Sequence, residues 1–163
     1  MSAVRDEKAW VSEFGVSRDV SNLGVERNVF RYRPLPVTVR LSEGAPLGDL
    51  VRLIAAATRT GSVLLVSLAL ALPDSLVELF TQPDSPVLIQ SVIVESDVRW
   101  HARLVAGELR TGRIRLVGGD AAALAAIVRG NPDVAIYGGP VTTAGRIELL
   151  PFLHEQAVSI TAH

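Results

Sequence analysis

The chain of 163 residues contains no cysteine, and this absence removes several classes of function at once. Disulfide bonds, thiolate nucleophiles and cysteine-ligated metals are all excluded. The three histidines, His101, His154 and His163, lie far apart in the sequence and show no metal-ligand spacing. The acidic residues are scattered, without a pair suited to acid–base catalysis. We therefore expect neither a metal nor a catalytic residue in this chain.

An excess of charge of either sign is also missing, because 16 basic and 17 acidic residues give a formal net charge of −1. Nucleic acids and anionic membranes require a basic patch, so neither is an expected partner. The longest apolar run, Val63–Pro73, is interrupted by Ser67 and is too short to span a bilayer. The first ten residues are polar and lack the apolar core of a signal peptide, which predicts a cytoplasmic location.

What the sequence does contain is a strand–turn–helix–turn–strand pattern over Arg113–Arg146. Ile114, Leu116 and Val117 form a short apolar run, as in a strand that is covered on both faces. Gly118-Gly119 permits a sharp turn, and Asp120 can cap the helix that follows. Ala121–Val128 is rich in strong helix formers. The stretch therefore predicts a βαβ unit of the kind found in nucleotide-binding folds.

The second strand of this unit, Val134–Tyr137, runs directly into another glycine pair. Ligands of parallel sheets lie beyond the carboxyl ends of the strands, where both glycine pairs fall. The candidate cofactor-binding residues are Gly118, Gly119, Gly138, Gly139 and Gly145. Since tight βα turns favour glycine in any case and no G-x-G-x-x-G is present, we favour a structural role. No cofactor is expected in this chain.

Strands and helices alternate strictly between Val37 and Tyr137, which predicts a parallel, doubly wound sheet. The predicted strands are Val37–Leu41, Val63–Ser67, Val87–Val94, Ile114–Val117 and Val134–Tyr137. The predicted helices are Leu47–Thr58, Asp74–Gln82, Asp97–Leu109 and Ala121–Val128. Glu95 and Asp97 flank a strand end and are interpreted as part of a helix cap, with Ser96 or Asp97 as the capping residue.

The two ends of the chain depart from this alternation. Arg5–Gly15 has the spacing of a short amphipathic helix, and Asn28–Arg33 alternates like a half-exposed strand. Ile147–Leu153 and Ala157–Thr161 are interpreted as two further strands, or as an arm whose apolar face needs another chain or domain. The predicted fold is thus α/β: a Rossmann-like parallel sheet of about five strands with helices on both faces, plus a C-terminal β-arm or hairpin. The predicted divisions are 1–34, 35–146 and 147–163.

Three stretches resemble a known family. GVERNVFRYRP (Gly24–Pro34) resembles the segment after the aldehyde dehydrogenase module of proline utilization A proteins. These are bifunctional proline dehydrogenase and L-glutamate-γ-semialdehyde (pyrroline-5-carboxylate) dehydrogenases. VRGNPDVAIYGGPVTTAGR (Val128–Arg146) resembles the nucleotide domain of aldehyde dehydrogenases. ELLPFLHEQAVSITAH (Glu148–His163) is similar to the end of the actinobacterial-type proteins.

The resemblance implies a C-terminal, aldehyde dehydrogenase-like domain that is non-catalytic and acts as a lid on the active modules. The parent enzyme would bind FAD and NAD elsewhere. Its family nucleophile is a cysteine, which this chain lacks, and Ser67 stands where the family has the lysine that holds the adenosine ribose. The loop between Gly139 and Gly145 is also longer than in the family pattern. These differences imply an inactive chain with weakened NAD binding.

The expected partners are the dehydrogenase modules of the parent enzyme, or a second copy of the chain paired through the arm. The residues predicted to make these contacts are Phe30, Tyr32, Leu149, Phe152, Leu153, Val158 and Ile160. Arginine and tyrosine are common at interfaces, although the Phe30–Tyr32 region could equally be a strand edge that faces solvent. The alternative function is a nucleotide- or small-molecule-binding domain that uses the glycine turns.

Overall fold

A computed structural model describes residues 2–23, 25–82, 84–109 and 111–161. The chain begins with helix α1 (Ser2–Ala9), which continues as a π-helical turn over Trp10–Phe14. This confirms a helix at the start of the chain, although it begins at Ser2 instead of Arg5. A short strand, β1 (Arg18–Asp19), follows.

In chain order the remaining elements are β2 (Glu26–Pro34), β3 (Val37–Leu41), α2 (Leu47–Thr60), β4 (Leu64–Leu68), α3 (Asp74–Thr81), β5 (Ile89–Val94), α4 (Asp97–Val105), β6 (Arg113–Val117), α5 (Ala121–Ile127), β7 (Ala135–Tyr137), α6 (Gly145–Glu148) and β8 (Leu153–Thr161). From β3 to β7, strands and helices alternate as predicted. Among the helices, the end of α4 differs most from the prediction, because the helix stops at Val105 and not at Leu109. Gly107 turns the chain there with φ of +69°, a conformation that glycine adopts without strain.

The larger sheet has five parallel strands in the order β5-β4-β3-β6-β7. Strand β3 pairs with β4 on one side and with β6 on the other, so the strand order reverses between β3 and β6. This confirms the predicted Rossmann-like class. In such sheets the ligand crevice lies beyond the carboxyl ends of the two strands at the reversal.

The smaller sheet is antiparallel, in the order β1-β2-β8. Its strands β2 and β8, hereafter the ribbon, pair in register from Glu26↔Thr161 to Pro34↔Leu153. The prediction of a strand at Ile147–Leu153 is wrong, because α6 and a 3₁₀ turn (Leu150–Phe152) occupy this region. One strand then runs unbroken through His154–Gln156.

The main hydrophobic core lies between the sheet and α2, and both ends of the chain contribute to it. Ala9 and Phe14 enter it from the start of the chain, and Leu149, Phe152 and Leu153 from the end. Since these last three are almost completely buried, the prediction that they contact a partner is corrected: the chain's own core already covers them. No helix in the described ranges is long and apolar enough to cross a membrane.

Candidate functional site

The crevice at the strand-order reversal is occupied by the chain itself. Gly118 and Gly119, which follow β6, both have φ of +70°. A Cβ on Gly118 would lie 2.9 Å from the Cβ of Ala45, and one on Gly119 would lie 2.8 Å from Ser42 Oγ. The loop after β3 therefore packs directly against the glycine turn. The glycines are explained by this close approach of two loops.

Little space remains beside the turn. A cavity of about 50 Å³ lies against Ser42, His101 and Gly119, whereas ligand pockets of drug size occupy roughly 300–1,000 Å³. Asp120 caps α5 as predicted, since its Oδ1 accepts hydrogen bonds from the amides of Ala122 (2.8 Å) and Ala123 (3.1 Å). The Asp120 carboxylate thus already accepts hydrogen bonds from the amides that would otherwise be available to a phosphate.

Close packing explains two of the other three candidate glycines. A Cβ on Gly138 would collide with the Cβ of Ala121, and one on Gly145 would collide with the carbonyl oxygen of Arg5 on α1. Gly139 has open space around its Cα. Each of the two crowded positions needs glycine for the packing of one element against another.

A buried arginine holds the loop after β7. Arg115 on β6 donates from Nη1 to the carbonyl oxygens of Gly139 (2.7 Å) and Tyr137 (3.1 Å). Its Nε donates to Glu148 Oε1 (2.9 Å), and Glu148 Oε2 accepts from the Thr142 amide (2.7 Å). Arg115 and Glu148 are both almost completely buried. The long loop between Gly139 and Gly145 is therefore fixed by an internal ion pair.

A second buried network lies at the carboxyl ends of β3, β4 and β5. Arg40 is completely buried and donates from Nη2 to Asp97 Oδ1 (2.6 Å) and from Nη1 to Ser67 Oγ (2.8 Å). Both terminal nitrogens also donate to the Glu95 carbonyl oxygen (3.1 Å). The guanidinium carbon lies 5.5 Å from the ring centre of Trp100, within cation–π range.

The carboxylates of this network are held by several donors. Glu95 Oε1 accepts from Ser67 Oγ (2.8 Å) and from Arg103 Nη1 (2.6 Å). Burial opposes ionisation of Asp97, but hydrogen bonds from Arg40 and from the Glu43 amide outweigh it and lower the pKa of Asp97. Ser67 is thus a buried member of this network.

The sequence interpretation missed this network. Ser96 alone accepts from the amide of Arg99 (3.3 Å) as the α4 cap, while Glu95 and Asp97 bind arginines. The available signal was Arg40 itself, a charged residue inside the otherwise buried strand VTVRL. A charge at a core position requires a partner.

The ribbon carries the predicted contact residues that remain accessible. Phe30, Tyr32 and Val158 are half-buried, and Ile160 is 51% exposed. The Tyr32 ring packs edge-on against Phe14, with ring centres 4.9 Å apart. Burial, followed by the hydrogen bond to Glu155, raises the pKa of Tyr32. The ribbon thus joins the core at one end and presents an apolar residue at the other.

Among the described residues, no group of three or more histidine, aspartate or glutamate side chains is placed to hold a metal ion. His101 lies beside the crevice and His154 is exposed on β8. His163 lies outside the described residues.

No protein-family model matches the chain, and no curated protein matches it significantly. Among solved structures, the chain is similar to proline utilization A (PutA) from Corynebacterium freiburgense, with 31% identity and a TM-score of 0.64. The match covers 99% of this chain and 13% of the PutA chain. This chain therefore resembles one part of PutA over almost its whole length. Histidinol dehydrogenase from Elizabethkingia anophelis matches 87% of this chain and 34% of its own length, with 16% identity and a TM-score of 0.51, and shows the fold alone. The chain therefore corresponds to only a part of either protein.

Proposed function

We propose that this chain is the non-catalytic structural domain of a bifunctional proline-catabolic dehydrogenase of the actinobacterial type, with an aldehyde dehydrogenase-like fold. Proline is oxidised to glutamate by the active modules of such an enzyme, through glutamate semialdehyde. The domain would pack on these cytoplasmic modules and cover the internal cavity that holds the intermediate. FAD and NAD would bind to the modules and not to this chain.

The observation that carries this proposal is the 31% identity to PutA over 99% of the chain. The crevice supports a role without a cofactor, because Ser42 and Ala45 lie against the glycine turn at distances that leave no room for a pyrophosphate. The absence of cysteine supports a role without catalysis, since acyl transfer in the resembling family needs that nucleophile.

The ribbon is the surface best suited to the proposed contact. Strand β1 pairs with only two residues of β2, and two-stranded ribbons are marginally stable unless another element covers them. Val158 and Ile160 project from β8 beyond the part that the main core buries. A dehydrogenase module packed here would bury these side chains and stabilise the ribbon.

A chimera tests the proposal. The part of C. freiburgense PutA that matches this chain is deleted, or replaced by this chain, and NAD-dependent oxidation of glutamate semialdehyde is measured. We expect the deletion to lose activity and the chimera to recover it. Ile160→Asp in the chimera should reduce the recovery, whereas Val98→Asp, at a 79% exposed position on α4, should not.

Two results would contradict the proposal. One is a deletion variant as active as the intact enzyme, which would show that the domain is dispensable. The other is turnover of semialdehyde with NAD by the isolated chain, which would make the chain itself an enzyme.

A further inference from the structure

Strand β5 is the least covered strand of the parallel sheet, although its sequence is apolar. Val92, Ile93 and Val94 are 47%, 36% and 56% exposed, whereas all five residues of β3 are buried. Strands of parallel sheets are normally covered on both faces, and successive residues point to opposite faces. Both faces of β5 are therefore partly open to solvent.

The outer edge of β5 is also free. The strand stands at one end of the order β5-β4-β3-β6-β7, and β4 is its only partner among the described strands. In the part of the chain that the structure describes, no further backbone hydrogen bond involves Ile89–Val94. An edge of this kind presents N–H and C=O groups to which another strand can bond.

Natural edge strands usually carry features that prevent such pairing, for example a charge, a proline, a bulge or a very short length. Strand β5 contains neither a charged residue nor a proline. Its pairing with β4 is irregular at Gln90 but regular over Ser91–Val94. The opposite edge of the sheet, β7, is only three residues long and half-buried. The sheet is thus protected at one edge and open at the other.

The unpaired charges that flank β5 differ in sign between its two ends. Asp84 precedes the strand and Arg99 follows it; both are exposed, and neither forms an ion pair within the described ranges. Arg99 lies one helical turn before Arg103, which binds Glu95 at the end of β5 (2.6 Å), so both arginines lie on the face of α4 near that end. Antiparallel pairing of two β5 strands would bring opposite charges together, whereas parallel pairing would oppose like charges.

We propose that β5 is a dimerisation edge, at which two copies of this chain pair their β5 strands antiparallel about a two-fold axis. The same strand then supplies an apolar and a charge match to itself, as an isologous contact requires. The axis keeps each face of the sheet on its own side, and directly opposite residues point to the same face. Placing Val92 on the axis meets this condition and pairs Ser91 with Ile93 of the second copy. The ribbon takes no part, so this proposal does not depend on the function proposed above.

Sedimentation of the full chain tests the pairing. We expect a reversible dimer of twice 17.4 kDa, with a dissociation constant of about 10–100 µM for so short an edge. Val92→Lys places a charge at the centre of the paired edge and should raise this constant at least about tenfold. Val4→Lys makes the same change at a 73% exposed position on α1 and should leave the dimer unchanged. Both positions are exposed, so both variants should fold.

The absence of cysteine permits a test of the register. Directly opposite residues of antiparallel strands have Cα atoms about 4.5–5.5 Å apart, within the range of about 4.4–6.8 Å found in disulfides. Val92→Cys should therefore give a disulfide-linked dimer under mild oxidation. Ser91→Cys should not, because its two copies would lie diagonally across the strands, roughly 7–8 Å apart.

Exchanging the flanking charges tests the antiparallel direction. Asp84→Arg and Arg99→Asp each place like charges against one another at both ends of the paired strands, and each should weaken the dimer about fivefold. The double variant reverses both charges, so it should regain the affinity of the unmodified chain.

Four results would overturn the proposal. The first is a chain that stays monomeric up to about 1 mM, tenfold above the expected range. The second is a dimer that Val92→Lys weakens no more than Val4→Lys does, which would place the contact on another surface such as the ribbon. The third is cross-linking of Ser91→Cys as readily as Val92→Cys. The fourth is a double charge variant that dimerises no better than the two single variants.

Discussion

Removing the carboxylate of Asp97 should destabilise the fold by about 2–4 kcal/mol. The change Asp97→Ala takes away the ion pair at 2.6 Å from Arg40 Nη2 and a second hydrogen bond from Arg40 Nε. It also takes away the acceptor of the Glu43 amide. Arg40 itself is completely buried and cannot turn to water.

The magnitude follows from the burial of the two partners. Breaking a buried ion pair by removing one side typically costs about 3–5 kcal/mol, since the other charge is left uncompensated. The Asp97 side chain is 29% exposed, so water can enter after the change and lower the cost. The carbonyl oxygen of Glu95 and the hydroxyl of Ser67 would still accept from Arg40.

Urea unfolding measures this cost directly. The denaturation midpoint should fall while the m-value stays constant, because the surface exposed on unfolding is unchanged. Glu7→Ala is the matched control: it also removes one carboxylate from an arginine pair, with Arg59, but those side chains are 31% and 53% exposed. An exposed pair contributes only about 0–1 kcal/mol. Equal effects of the two changes would refute the reasoning.

Lowering the pH should weaken the ion pair between Arg40 and Asp97. The pKa of Asp97 is lowered in the folded chain, so the unfolded chain, with a carboxyl pKa of about 3.9, binds more protons in acid. The contribution of Asp97 is therefore present above about pH 4 and is lost as the pH falls through the folded pKa. The stability difference between the unmodified chain and Asp97→Ala should shrink below pH 4.

Two further changes test the packing of the loops. Gly145→Ala should destabilise the chain by roughly 1–3 kcal/mol, because its Cβ would meet the Arg5 backbone, whereas Gly139→Ala, with open space around it, should be nearly neutral in thermal unfolding. Comparable shifts in melting temperature would show that α1 does not pack as described. Glu148→Ala should cost about 3–5 kcal/mol, since it leaves Arg115 buried without its carboxylate, and urea unfolding with a cost below about 1 kcal/mol would contradict this.

The alternation of the central elements was predictable because apolar residues mark each strand and a turn signal follows it. Val37, Val39 and Leu41 alternate along β3, apolar residues surround Ser67 in β4, and Gly61 ends α2 in the left-handed conformation. Such local signals need no knowledge of the partner strand. The Asp120 cap was predictable for the same reason.

The predictions that failed concern residues whose structure depends on contacts with distant parts of the chain. Ile147–Leu153 is apolar enough for a strand, but Leu149 and Phe152, three residues apart, both enter the core from a helical turn. The roles of Glu95 and Asp97 depend on Arg40, more than 50 residues earlier. No local pattern encodes such a distant pairing.

The most direct test of the account is a calorimetric titration of the full chain with NAD, followed by crystallisation with the dinucleotide. Because the loop carrying Ser42 and Ala45 fills the crevice and Asp120 occupies the helix amides, we predict no binding tighter than about 1 mM. Micromolar binding, or an ordered dinucleotide lying over Gly118 and Gly119, would contradict the claim that this fold serves as structure alone.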